Sequence, residues 1–329
     1  MRAALAIALV ACYAPHAQQG SPCSDGPCPP GLVCSPATLT CEVTAIEPDA
    51  PSGGEPAPPA APANDLPGGA IDVTAGGTFT ADLAGAHDDA PQVGCSGDGG
   101  LDVYYSVTLA RPQVYYFDTF GSSFATIVRA FGGVDCADAG AMPSACSELA
   151  CSGTASQLAI SLPAGTSCII VDQRAGEPTS ELALEVAPGG RDGLPLAPGV
   201  QTTTGSSCSG RNAAQPSNSC VSGDSRTAQD VGYFFTACPG QTLALDASTC
   251  VDPTVTDYDT VIYLRQQGVA GTLACNDDSA TCMPRPDRPD HADGSVITNV
   301  AATGPGLFWL TIDGYNGACG PYQLDTDLR

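Results

Sequence analysis

From residue 67 onward, apolar and polar positions alternate in short runs rich in Val, Ile, Thr and aromatics, broken by Gly, Pro, Asp and Ser. Period-two alternation with turn residues at the breaks is the pattern of half-buried β-strands. It predicts strands at 70–73, 78–81, 103–109, 114–120, 126–131, 157–162, 168–172 and 182–186. A second series follows at 201–204, 231–236, 242–246, 260–264, 295–300, 307–313 and 322–324. No segment keeps a helical period. The strongest run, Gly306-Leu-Phe-Trp-Leu-Thr-Ile-Asp-Gly314, reads as a buried core strand followed by a turn and a closing strand. It has a twin at 165–172.

The twin belongs to a wider duplication. Asp102-Val-Tyr-Tyr105 corresponds to Asp230-Val-Gly-Tyr233, and Thr126-Ile-Val-Arg129 to Thr260-Val-Ile-Tyr263. Ala145-Cys146 matches Ala274-Cys275, and Val171-Asp172 matches Ile312-Asp313. The offsets are 128, 134, 129 and 141, so strands keep their order while loops absorb insertions. Two such units favour tandem antiparallel β-sandwiches over one large barrel. The expected boundaries are 67–188 for the first sandwich and 189–329 for the second.

Ahead of them, residues 3–11 form an apolar run after Met1-Arg2, too short to span a bilayer but suited to the core of a signal peptide. Leu9-Val10-Ala11-Cys12 resembles a bacterial lipobox. This predicts a signal over 1–11 and lipidation of Cys12; an ordinary signal cut near Ala17 is the alternative. Residues 12–42 carry Cys23, Cys28, Cys34 and Cys41, a segment too small to bury a core without disulfides. Four cysteines permit three pairings, and spacing selects none. Residues 43–66 turn to Pro, Ala, Glu and Gly, the composition of a semi-extended linker.

Composition narrows the function. Seventeen cysteines indicate an oxidising compartment, so the protein is expected outside the cytosol, on the bacterial cell envelope or secreted. The chain has no Lys, which removes Schiff-base chemistry and any Ser-Lys dyad. A net charge of −24 repels phosphate backbones and anionic lipid surfaces, so nucleic acid is not an expected partner. Membrane attachment is expected only through the lipid anchor.

Asp230-Val-Gly-Tyr-Phe-Phe-Thr236, Pro239-Gly-Gln241, Asp259-Thr-Val-Ile-Tyr-Leu264, Leu273-Ala-Cys-Asn-Asp-Asp278 and the 306–314 strand with Gly320-Pro-Tyr-Gln-Leu324 are similar to one known pattern. The second unit resembles the bacterial pre-peptidase C-terminal domain. The first keeps the frame but has Ala125 for Asp259, Ser147-Glu-Leu149 for Asn-Asp-Asp, and Gln173 for Gly314. The resemblance implies jelly-roll-like sandwiches and a non-catalytic accessory or binding role, usually beside a catalytic domain.

Asp257, Asp259, Asn276, Asp277, Asp278 and Asp313 lie near predicted strand ends, where loops can gather oxygen ligands for Ca²⁺. The competing interpretation is an Asx-type turn at 276–278. Asp287, Asp290 and Asp293 are expected to be merely solvated. Neither G-x-S-x-G nor H-E-x-x-H occurs, and His87 and His291 fall in polar loops of different units. The sequence therefore predicts a surface-anchored binding or structural protein with a protein or polysaccharide partner. The alternative is a secreted hydrolase whose carboxylate site is unfamiliar.

Among the remaining cysteines, Cys146 with Cys151, Cys275 with Cys282, and Cys208 with Cys220 are the expected local bridges. Cys168, aligned with Trp309, is a candidate buried thiol. The first unit holds five cysteines and the second seven, so either one bridge joins them or each keeps a free thiol.

Overall fold

The computed structural model describes residues 21–23, 27–28, 30, 32–43, 59–91, 93–95, 99–140, 142–178, 180–221, 227–250, 254–284 and 293–329. The signal expected over 1–11 and the lipidation at Cys12 lie outside these. The chain divides into two compact units, 1–58 and 59–329. In the first, β1 (Leu32–Cys34) pairs antiparallel with β2 (Cys41–Val43). Cys23–Cys34 and Cys28–Cys41 select one of the three open pairings.

The second unit is all-β and contains two jelly-roll-like sandwiches. The first is built from β3 (Ile71–Asp72), β4 (Gly77–Asp82), β5 (Gly99–Leu109), β6 (Gln113–Asp118), β7 (Thr126–Phe131), β8 (Ala145–Glu148), β9 (Gln157–Leu162), β10 (Gly165–Arg174) and β11 (Glu181–Pro188). Its sheets run β3-β5-β10-β7-β8 and β4-β11-β6-β9. The second comprises β12 (Leu194–Pro195), β13 (Gly199–Ser206), β14 (Val231–Ala237), β15 (Thr242–Ser248), β16 (Thr260–Gln266), β17 (Ala274–Asn276), β18 (Val296–Thr303), β19 (Gly306–Gly314) and β20 (Pro321–Leu328). Its sheets run β12-β14-β19-β16-β17 and β13-β20-β15-β18, the same order strand for strand. Pairing is antiparallel except at the two-residue edge strands β3 and β12, which run parallel to β5 and β14. Among the described residues no helix is long and apolar enough to cross a membrane.

Alternation sets what each strand buries. Val103, Tyr105, Val107, Ile169 and Val171 face the first core, and Phe235, Phe308, Leu310 and Ile312 the second. At the same corner of each sandwich a hydroxyl clasp ties the two sheets. Thr119 and Thr126 share a hydrogen bond of 2.5 Å, the Ser156 amide donates to Thr119, and the Ser156 hydroxyl donates to the Thr126 carbonyl. Thr249, Thr260 and Ser295 repeat these contacts. All six residues are buried, so each hydroxyl needs a partner, and the clasp supplies it.

The linker expected through residue 66 ends sooner. Asn64 is buried and exchanges backbone and side-chain hydrogen bonds with Tyr104 on β5, which fixes this stretch to the sheet edge.

Trp309 is not in either core. β19 directs Phe308, Leu310 and Ile312 inward, so Trp309 points out of the sheet. There it packs with Phe234 and Leu307 against Val114 and Tyr116 of β6, forming one apolar seam between the sandwiches. Gly189 and Gly193 let the connecting segment pass over the indole. A Cβ would lie 2.7 and 2.6 Å from the ring. Polar contacts extend the seam: Gln157 donates to the Ala237 carbonyl and Gln267 to the Pro188 carbonyl.

The disulfides differ from the expected local bridges. Cys146 pairs with Cys95, Cys275 with Cys220, Cys282 with Cys250, and Cys208 with Cys319. The physical reason is register. Cys146 on β8 and Cys275 on β17 meet loops that cross the outer sheet face, not their own neighbours in sequence. Cys168 is not a free thiol. It occupies Trp309's outward position and bonds to Cys136 in the covering loop. Of the two possibilities left by the odd counts, the joining bridge is the one present: Cys151–Cys238 links the sandwiches.

The sixteen cysteines after Cys12 thus form eight bridges. Intact-mass analysis after alkylation without reduction is expected to find no modified thiol, and one accessible thiol in this set contradicts the framework. Trp309→Ala is expected to cost about 3–5 kcal/mol, the usual range for emptying a packed Trp site. Denaturant unfolding reads it. A change below about 1 kcal/mol contradicts the seam's importance.

Candidate functional site

The predicted oxygen ligands do not converge as a set. Asp259, before β16, and Asp278, after β17, come together with Asp293, each offering a carboxylate oxygen within 4.8 Å of the others. That spacing suits oxygens around one Ca²⁺ at about 2.3–2.6 Å. The expectation that Asp293 is solvated is corrected: it is buried, and its carbonyl accepts from the Thr260 amide beside the clasp. The duplication carries a cue to this, since the Thr154 carbonyl accepts from Thr126 at the matching place in the first sandwich.

The other predicted residues serve elsewhere. The Asn276 side chain accepts from the Val296 amide at 2.7 Å and donates to the Asp278 carbonyl at 3.1 Å. Asp277 keeps a buried Oδ1 without a hydrogen bond, and burial with the neighbouring Asp278 charge pushes its pKa to about 6. Asp257 is exposed and lies over Gly320. Asp313 is fully buried, accepting from the Gly314 amide and from Tyr263 Oη. It sits on the outer face of β19, away from the cluster. The cavity beside Asp293 is about 10 Å³, room for one water at most. A second grouping, Asp65, His87 and Asp89, lies at the first sandwich, where Asp65 accepts from His87 at 2.7 Å.

Asp313 is half of a motif that the sequence does not disclose. Asp102 and Asp172 are directly opposed across β5 and β10, both with no exposed surface. Two consecutive amides, Asp89 and Ala90, donate to Asp102, while Arg129 from β7 pairs with Asp172. In the second sandwich Asp230 stands beside the β14–β19 ladder at Asp313's level, and the Ala213 and Ala214 amides donate to it. Tyr263 occupies the place of Arg129. The missing cation comes from the connecting segment: Arg191 pairs with Asp230 at 2.8 Å, donates to Thr311 at 3.2 Å, and lies 4.9 Å over Trp309.

Burial dominates the electrostatics. It pushes Asp102 to about 6 and Asp172 and Asp313 to about 7, and raises Asp230 against the opposing pull of Arg191. Around Arg191 lie three adjoining clefts of about 290, 250 and 210 Å³, all bordered by Arg191 and Ala213. Another opening at the junction, about 400 Å³ and more apolar, is bordered by Ala159 of β9 and by Pro195, Phe234, Leu243 and Arg329.

No family model and no curated protein matches the sequence. Among solved structures, the chain is similar at 10% identity to the CUB1-EGF-CUB2 domains of rat MASP-1, with TM-score 0.20, covering 78% of this chain and 98% of that one. It is similar at 10% identity to the tail fiber protein gp63.1 of an E. coli phage, with TM-score 0.22, covering 69% and 35%. The Clostridium perfringens ZmpB M60 catalytic domain with its CBM51-1 and CBM51-2 domains gives 10% identity and TM-score 0.20, covering 70% and 34%. Likeness at this level adds nothing to the fold described above and carries no functional argument.

The buried aspartates make stability depend on pH. A carboxyl whose folded pKa lies above its unfolded value stabilises the protonated folded state, so its contribution is full below pH ~4 and is lost as pH rises through the folded pKa. His87, raised by its hydrogen bond to Asp65, acts in the same direction. The melting temperature is expected to fall between pH ~4 and ~7. Asp102→Asn, which keeps an oxygen for the two amides, is expected to flatten the fall and to stabilise at pH 8 by about 2 kcal/mol. Thermal melts across that range check it, and an unchanged slope in the variant contradicts it.

Proposed function

We propose that the protein is a non-catalytic binding protein of the bacterial cell envelope, its two sandwiches acting as one rigid head. The observation carrying this is the weld between them: an apolar seam, a disulfide and a buried ion pair surround clefts at the junction. A structural spacer needs two stable domains but no such cleft. In this proposal Cys12 carries the acyl anchor, and the Pro/Ala-rich segment holds the head away from the membrane. The partner is a protein or polysaccharide at the cell surface.

The hydrolase alternative requires an available carboxylate in a cleft. Asp192 is exposed beside two of the three clefts around Arg191, and Asp230 borders the largest of the three and has a raised pKa. Yet one of its oxygens accepts from two amides and the other pairs with Arg191, which suits a support better than a proton donor. Of the Asp259, Asp278 and Asp293 group, Asp293 borders a cavity of about 10 Å³, too small for a substrate.

Crosslinking on intact cells, followed by fractionation and identification of the captured species, tests the proposal. Recovery in the envelope with a reproducible surface partner is expected; recovery in the cytosolic fraction overturns it. Calcium enters the proposal only as a stabiliser of the second sandwich through Asp259, Asp278 and Asp293. Millimolar Ca²⁺ is expected to raise the melting temperature of the intact protein, and Asp259→Asn to abolish the rise. Absence of any rise removes calcium from the proposal.

A further inference from the structure

The described arginines fall into two groups. Arg129, Arg174, Arg191 and Arg329 are paired with carboxylates. Among the described residues Arg111, Arg211 and Arg265 are not, in a chain with 35 acidic residues and a net charge of −24. The three instead border the adjoining clefts around Arg191: Arg111 and Arg211 line one, Arg211 a second, and Arg265 the third. Arg111 and Arg211 are exposed, so their guanidinium groups stay available to a ligand. Arg265 is held in place by the Gln215 carbonyl and the face of Tyr263, 5.0 Å away. Arg191, only 7% exposed, forms the common wall and keeps a buried Nε without a hydrogen bond.

We propose that this junction is a binding site for an acidic polysaccharide, whose anionic groups engage Arg111, Arg211 and Arg265. Planar guanidinium forks match carboxylate or sulfate oxygens in pairs. Arginines in separate adjoining clefts suit a ligand that repeats its charge along its length, because each further contact becomes intramolecular. An acidic peptide is the weaker fit. Peptide recognition leans on apolar anchor pockets or a free sheet edge, whereas the cleft holding Arg111 sets three arginines against the one carboxylate of Asp192, and that holding Arg265 places Gln266 and Gln267 beside Trp309. The net charge of −24 opposes approach of a polyanion, as it does of a nucleic-acid backbone, so binding requires the three arginines to act together. This inference rests on the binding role proposed above and names its ligand class.

The test is titration of the full exported chain with polygalacturonate, dextran sulfate, uncharged dextran and polyglutamate. Binding of at least one polyanionic sugar, weakened by added salt, is expected, with dextran inert and polyglutamate weaker. Arg111→Gln with Arg211→Gln is expected to weaken that binding about tenfold or more at unchanged melting temperature. Arg329→Gln, which lines none of these three clefts, is expected to leave it unchanged. No binding of either polyanion, or binding indifferent to the double variant, overturns the proposal. Polyglutamate binding as tight as the sugars overturns the polysaccharide assignment. Dextran binding equal to polygalacturonate overturns the anion assignment while leaving a binding role intact.

Discussion

Arg191 is the interaction on which the two-sandwich head depends. A buried aspartate with no cation is expensive, since desolvation penalises its charge far more than a few amide hydrogen bonds return. The first sandwich meets this internally, with Arg129 rising from its own strand to Asp172. The second has Tyr263 there and takes its cation from the segment joining the sandwiches. That pairing fixes the segment, and the fixed segment covers Trp309, which in turn fills the seam. Charge balance in the second sandwich thus fixes the segment that meets the first, where the Arg191 carbonyl accepts from the Val114 amide. The junction is an internal element of the second sandwich's electrostatics as much as it is an interface.

Most of the fold is legible in the sequence because it depends on local alternation and on repetition. The strands at 103–109, 126–131 and 307–313 stand out by their Val, Ile, Thr and aromatic content between turn residues, and matching Asp102 with Asp230 and Asp172 with Asp313 gives the correct frame for the duplication. Short edge strands are not legible: Leu194-Pro195 and the three residues of β17 are too brief to show a period. Cysteine pairing is illegible for a different reason. Cys95 with Cys146, or Cys151 with Cys238, depends on which loops cross the outside of a sheet, which nothing near those residues encodes.

The candidate sites show the same division. Position near strand ends singles out Asp259 and Asp278, and these two do meet. Asp313 shares that position, but its parity on β19 sends it to the outer face on Arg191's side of the sheet. The Pro- and Arg-rich surroundings of Asp293 suggest a solvated loop, whereas its place is decided by Ser295 two residues on, a member of the hydroxyl clasp. Trp309 illustrates the same limit. An apolar strand announces that both faces are covered, without saying that one cover is a second domain.

The Cys151–Cys238 bridge spans a sequence separation of 87 and closes β9 through β14 into a covalent loop. Cys208 lies inside that loop and bonds to Cys319 outside it, so a second covalent route crosses the connecting segment with Arg191. Tension along the chain is therefore shared between two routes, one through Cys151–Cys238 and one through the connecting segment and Cys208–Cys319. Neither route can be drawn out alone, so the bridges together limit how far the two sandwiches can be pulled apart.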